Sequence, residues 1–186
     1  MKQTNLTNQF LISMPSLKDP NFEKTVTYIC AHNEDGAMGI VINKPLEIGL
    51  GEIFAQMDIP IDNADANNKT VYQGGPVQID HGFILHQSSH EWDSSIIVSP
   101  DLTVTTSKDI LEAMAEGDGP DESLVALGYA GWSAGQLEDE LMANAWLTGP
   151  ADSDIIFNTS SEKCWEAAAQ HIGIDLEKLS SDIGHA

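Results

Sequence analysis

The chain contains no arginine, and its 186 residues set eight lysines against 29 Asp and Glu, a formal charge of −21. Without arginine there is no guanidinium fork to hold a phosphate, a carboxylate or a guanine edge at two points. An acidic excess of this size repels nucleic-acid backbones and anionic membrane surfaces. Direct DNA binding is therefore disfavoured. Cysteine is equally scarce. Cys30 sits in an apolar strand pattern and Cys164 in a helix pattern, with no close-spaced metal motif and no disulfide framework between them. Two reduced thiols with structural roles are expected. Long hydrophobic runs are missing as well. Phe10-Leu11-Ile12 stops at Met14-Pro15, too short for a signal-peptide core. Nothing approaches the roughly 18 apolar residues of a membrane span. A soluble cytoplasmic protein without membrane contact is the expectation.

What is present is apolar material, 41% of the residues, enough to bury a core at this length. One domain spanning 1–186 is expected, with residues 58–70, dominated by Asp, Asn and Ala, as an exposed loop. Residues 9–14 read as a first strand. Residues 25–31 alternate, with Val26, Tyr28 and Cys30 on one face and Thr25, Thr27 and Ile29 on the other. Asp35-Gly36 supplies a tight turn, residues 38–43 return as a second strand, and Asn43-Lys44-Pro45 ends the hairpin. A short helix covers 50–57. Segments 71–73, 82–86, 96–98 and 102–104 read as strands, and 123–129, 145–147 and 154–157 as strands or strand ends. Three helices carry start signals. Thr106-x-x-Asp109 leads into Ile110, Leu111 and Met114. Ser133-x-x-Gln136 leads into Leu137, Leu141 and Ala145. Thr159-x-x-Glu162 leads into Trp165, Ala168, Ala169 and Ile172, with Gly173 as the stop. The fold class is α+β: a coiled, mixed but mainly antiparallel sheet flanked by about four helices.

Gly131-Trp132-Ser133-Ala134-Gly135 matches G-x-S-x-G, the turn that exposes a nucleophilic serine in α/β-hydrolases. Asp152 or Asp154, followed by His171 or His185, would supply the remaining members in the required order, with Gly74-Gly75 as an oxyanion loop. The competing reading makes Ser133 an N-cap whose hydroxyl takes an orphan amide while Gln136 reciprocates. Only about fifty residues follow Ser133, little room for the strands that carry the other two groups, so capping is preferred. His81, His86 and His90, with Glu91 and Asp93 nearby, have no metal-ligand spacing. His81 and His86 are an odd number of positions apart and would face opposite sides of one strand. No metal and no cofactor are expected. His171 lies two helical turns from Cys164, about 10 Å, too far for a thiolate–imidazolium pair. Gly74-Gly75-Pro76 lacks the Lys-[Ser/Thr] of a phosphate loop. Gln136, Glu140 and Asn144 recur every four residues between Trp132 and Trp146, a polar stripe between two indoles. With Gly74, Gly75 and Gly131 these residues make the candidate ligand site.

Taken in order, these motifs resemble one family. Phe10-Leu11-Ile12-Ser13-Met14-Pro15 with Asp19-Pro20, His32-Asn33-Glu34-Asp35-Gly36-Ala37-Met38-Gly39 and Asn43-Lys44-Pro45 open the match. Gly74-Gly75-Pro76-Val77, Gly82-Phe83-Ile84-Leu85-His86 and Gly128-Tyr129-Ala130-Gly131-Trp132 continue it. Gly135-Gln136-Leu137-Glu138 through Asn144-Ala145-Trp146-Leu147 completes it. The chain resembles the YqgE/AlgH (UPF0301-type) family of small bacterial proteins from about Phe10 to Gly173. The resemblance implies a single α+β unit and a cytoplasmic location, and little about activity. It also implies that the position of Ser133 accepts glycine, which no nucleophile could be. The family's label of transcriptional regulator finds no cationic surface here for direct DNA contact. The expected function is a non-enzymatic regulatory protein that binds a small ligand or a protein partner and acts indirectly on transcription. The alternatives are a small serine hydrolase using Ser133, His171 and Asp154, and a direct DNA-binding regulator.

Overall fold

The computed structural model describes residues 5–87 and 92–183. The chain opens with three antiparallel strands, β1 (Gln9–Ser13), β2 (Val26–Asn33) and β3 (Gly36–Val41), then β4 (Pro45–Gly49). Two short helices follow, α1 (Leu50–Gln56) and α2 (Ala64–Asn67). Next come β5 (Thr70–Gln73), β6 (Val77–Gln87), β7 (Ser95–Ile97), β8 (Leu102–Thr105) and α3 (Lys108–Glu116). The last third holds β9 (Ser123–Ser133), α4 (Gln136–Met142), β10 (Trp146–Pro150), α5 (Ser153–Asn158), α6 (Ser161–His171) and α7 (Leu176–Ile183).

All ten strands join one curled sheet, ordered β10-β1-β2-β3-β9-β6-β8-β7, with β4 and β5 in a side branch. Every pairing is antiparallel except β5 with β9. The long strand β9 is the spine. Its first half pairs with β6 on one edge and β5 on the other, and its second half pairs with β3. β5 and β3 therefore meet end to end along the same edge of β9, at Gly74. There Gly74 N–H donates to the Leu127 carbonyl, and its own carbonyl accepts from Val41 N–H.

Strand alternation sends side chains to two faces, and helices cover both. Phe10, Ile12, Val26, Tyr28, Cys30, Phe83 and Leu85 fill one face beneath Ile155 and Ile156 of α5 and Cys164, Ala168 and Ala169 of α6. On the other face, Val71, Ile84 and Val125 meet Leu50 and Phe54 of α1 and Ile110, Leu111 and Met114 of α3. Further along that face, Leu11, Ile29, Ala130 and Trp132 pack with Leu137 of α4 and Trp146 of β10. The alternation expected for 25–31 holds, with Cys30 beside Tyr28 and Ile29 turned to the opposite core.

Five local expectations are corrected. Seven helices occur among the described residues rather than about four; the additional ones include α2 and α5, of four and six residues, too short to carry a periodic signal. Residues 154–157 lie in α5 and not in a strand, because the Asp152 carboxylate caps the amides of Asp154 and Ile155. The 58–70 stretch is largely exposed but contains α2, capped by Asn63, and ends in β5; Ile59 is buried in it. Ser133 is the last residue of β9 rather than the cap of α4, whose N-cap is Gly135 at φ 78. The N-caps of α3 and α6 likewise fall one residue later than read, at Ser107 and Ser160.

Gly75 has no room for a side chain. A Cβ there would stand 2.1 Å from the carbonyl carbon and oxygen of Tyr129 on β9. Gly75→Ala is expected to cost at least about 3 kcal/mol, since the clash is with backbone that cannot turn away. Urea unfolding checks this, and a midpoint equal to wild type would show that β9 yields at the junction.

Candidate functional site

An open depression lies at the uncovered end of the first sheet face, where Ala31, Asn33 and Gly131 are exposed. The register explains it. Ala31 opposes Met38, Met38 opposes Gly131, and Gly36 opposes both Asn33 and Ser133. Ala31 and Gly131 therefore flank Met38 on the neighbouring strands, with Gly36 two residues before Met38 and Tyr129 two residues before Gly131. The resulting groove has a volume of about 460 Å³ and is bounded by Val77 at one end and Asp35 at the other. Trp132 reaches it only through the main chain, because its ring belongs to the opposite core. More enclosed cavities beside Glu166 and beside Lys108 measure about 180 and 90 Å³, below the roughly 300 Å³ of a typical ligand pocket. A depression of about 380 Å³ near Lys69, whose ammonium loses its proton more readily than usual because of burial, is lined by Asp65 and Asp121 and offers mixed charge.

The residues singled out from sequence divide between the two faces. Gly131 lines the groove. Gly74 and Gly75 do not line it; they are buried against β9, where Gly74 N–H already donates to the Leu127 carbonyl. Trp132 and Trp146 enclose no cleft between them. Their rings touch at 6.3 Å and 78°, and Phe22 completes a packed trio at 6.2 and 5.5 Å. Glu140 is half-buried beside this trio. Loss of hydration raises its carboxyl above the ordinary carboxylate range, the indole N–H groups of Trp146 and Trp132 oppose that, and Asp19 adds repulsion. Neither Glu140 Oε2 nor Trp146 Nε1 completes a hydrogen bond among the described residues, so the indoles act on the carboxylate at slightly longer range. Gln136 and Asn144 are exposed, Asn144 in a left-handed conformation at φ 59.

The hydrolase constellation is not assembled. The Ser133 hydroxyl donates to Gln136 Oε1 at 3.2 Å, and Ser133 N–H donates to the same oxygen at 3.0 Å. His171 ends α6 and sits 3.9 Å from Asp152, while Asp154 accepts from Asn158. α6 packs over the β1–β2 end of the sheet, on the face opposite α4. His185 lies outside the described residues, as do His90 and Glu91. Of the other histidines in that cluster, His81 is exposed beside Asp80. His86 is fully buried, its Nδ1–H donating to the Gln87 carbonyl and its Nε2 accepting from Thr105. Asp93 N–H is held by Asp109. Among the described residues no three His, Cys, Asp or Glu side chains converge as a metal site, and no helix is long and apolar enough to cross a membrane.

Sequence reasoning missed His32. Its Nδ1 accepts from Leu6 N–H at 3.0 Å, and its Nε2–H donates to Glu138 Oε1 at 2.6 Å. The pairing ties the N-terminal segment, β2 and α4 together. It spans 106 residues of sequence, so no local pattern announces it.

The AlgH-like family profile matches residues 10–177. The chain belongs to the AlgH-like family. It is 57% identical to a UPF0301 protein of Thioalkalivibrio sulfidiphilus over 183 residues, 98% of each chain. It shares the same identity with one from Hahella chejuensis, over 98% of this chain and 97% of that one. The solution structure of the AlgH protein from Pseudomonas aeruginosa superposes over the whole of both chains with a TM-score of 0.81 at 47% identity. A crystal structure from Corynebacterium diphtheriae shares the fold at a TM-score of 0.75 and 17% identity, covering 97% of this chain and 94% of that one.

Two outcomes are expected from this geometry. Glu138→Ala strands the buried His32 N–H and should cost about 1–3 kcal/mol in urea unfolding, whereas Glu138→Gln, which keeps an acceptor, costs less. Equal losses would show that the link contributes only through charge. Burial also pushes both thiols from an ordinary value near 9 up to about 12. The native state thus holds these protons more tightly than the unfolded chain, and the associated stability is present below about pH 9 and lost on approaching pH 12. Ellman's reagent at pH 8 should therefore modify neither cysteine in the native protein and both in denaturant.

Proposed function

We propose that the protein is a non-catalytic binding protein whose partner seats in the groove over Met38 and Gly131, and that any effect on transcription is indirect. The observation that carries this reading is Gly131 itself. Glycine inside a strand weakens it unless something must approach closely. Gly131 does not have a positive φ, and a Cβ there would make only ordinary contacts, 3.4 Å to Tyr129 Cε2 and 3.9 Å to Val77 Cγ2. Neither backbone conformation nor crowding explains the glycine, and access to the groove does. Two further observations argue against turnover at Ser133: its hydroxyl is committed to Gln136, and His171 sits beside Asp152 on α6, a helix that packs over β1 and β2. The charge of −21 argues against a direct DNA contact.

Gly131→Leu fills the groove without crowding the sheet, so its circular dichroism and urea midpoint should stay close to wild type. Tagged wild-type protein and Gly131→Leu, incubated in parallel with bacterial extract, should differ by a captured component that the variant loses. Identical captured sets would refute the groove as the site. An ester or amide turnover abolished by Ser133→Ala would refute the non-catalytic reading.

A further inference from the structure

We infer that the occupant of this groove is a basic polypeptide segment that inserts one apolar side chain over Gly131. The inference rests on the groove reading above and adds the chemistry of the partner. The floor is apolar: Ala31, Met38, Val77 and the face of Gly131, with Tyr129 beside them. Transfer of an aliphatic or aromatic side chain onto such a floor is favourable by its buried area. The depression is open and shallow, a form that admits a side chain projecting from an extended segment better than a free small molecule, which needs enclosure. Its polar end is Asn33 and Asp35, with exposed Glu34 between them at the hairpin turn. None of the lining residues is Lys, Arg or His. The surrounding surface belongs to a chain with 29 acidic and eight basic residues, so the field at the groove attracts cations from a distance. Complementary charge mainly accelerates encounter and rejects wrong partners, while the anchor sets residence time. A second copy of this chain would bring another −21 to the contact, and a nucleic acid or an anionic lipid surface would be repelled likewise. A lysine- or arginine-rich segment with a Leu, Ile, Met or Phe anchor satisfies both halves of the site.

The test is an amide-resolved NMR titration with three synthetic peptides of equal length. One is lysine-rich with a central Leu, the second replaces that Leu with Gly, and the third keeps Leu but replaces Lys with Glu. The first should shift the amides of Ala31, Met38, Val77 and Gly131, and weaken as salt rises from about 50 to about 500 mM, through the range where screening becomes short. The other two should bind at least about tenfold more weakly, a difference set by the lost anchor or the reversed charge. Gly131→Leu should abolish the groove shifts, and Asp35→Asn should reduce affinity for the first peptide only.

Equal shifts with the Leu-less peptide, scattered over surface carboxylates, would overturn the anchored mode. Equal binding of the acidic peptide would overturn the cationic partner. If no peptide binds while Gly131→Leu still loses its captured component from extract, the basic-segment inference fails and the groove reading survives. If the free protein self-associates in sedimentation and Gly131→Leu abolishes that, the occupant is a second copy and the inference is overturned.

Discussion

The architecture depends on how closely three pieces of backbone approach one another where β3, β5 and β9 meet. A single strand cannot serve two collinear neighbours on one edge unless the chain entering between them lies almost against it. Gly74, Gly75 and Gly128 make that approach. A Cβ on Gly74 would lie 2.3 Å from the Gly128 carbonyl, and one on Gly128 would lie 2.4 Å from the Gly75 carbonyl. Gly128 also adopts φ 77, which glycine reaches without penalty. Between Val77 and Gly82 the register of β6 against β9 then slips, and residues 78–81 bow outward before the ladder resumes. The curl of the sheet, the side branch of β4 and β5, and the position of Val77 at the groove all follow from this junction.

The same junction separates two sites that the linear sequence places side by side. Gly131 and Trp132 are consecutive, but alternation puts one in the groove and the other in the core shared with Phe22, Trp146 and Leu137. That core is tied by polar groups with unequal satisfaction. The His32–Glu138 contact is complete at both ring nitrogens, whereas the Trp146 indole and one oxygen of Glu140 stop short of each other. Glu140 is consequently held with its charge disfavoured by burial, and the protonated form is the one the native core prefers as pH falls. Its contribution opposes stability when ionised, the reverse of a carboxylate engaged in a salt bridge.

The sequence made visible what depends on local pattern. The 25–31 alternation, the Asp35-Gly36 turn, the presence of helices after Thr106, Ser133 and Thr159 and the Gly173 stop all rest on side chains within a few positions of one another, and the structure shows each of them, with the three helix caps displaced by one or two residues. The failures share a cause. Residues 154–157 are apolar enough for a strand, and only the Asp152 cap, three residues before Ile155, makes them a helix. Ser133 and Gln136 have capping-box spacing, and Gln136 does reach back to Ser133 N–H, but the Ser133 hydroxyl donates to Gln136 because Gly135 has taken the cap position. The two tryptophans were legible as neighbours of a polar stripe; that they touch requires β9 and β10 to be brought to the same core, a long-range fact. The groove was legible in one residue, Gly131, and its floor was not, since Ala31 and Met38 become its neighbours only through register.

Register also decides what kind of constraint Gly131 represents. The glycines at the junction are paid for by topology: each lets a backbone pass where no side chain could. Gly131 carries the usual penalty of glycine in a strand, about 0.5–1 kcal/mol relative to alanine, and the sheet gains nothing in return. Alanine would fit there by every contact the fold imposes. The adjacent positions repeat the pattern in weaker form, with Ala31 exposed where a β-branched residue would pair better with Met38. A sheet face that is close-packed under α5 and α6 and then becomes small-residued beyond them has been left thin at one end. Thinness of that kind reduces stability unless the space is filled, and a transient occupant supplying its own apolar side chain fills it without the permanent loss of access that a larger residue at 131 would bring.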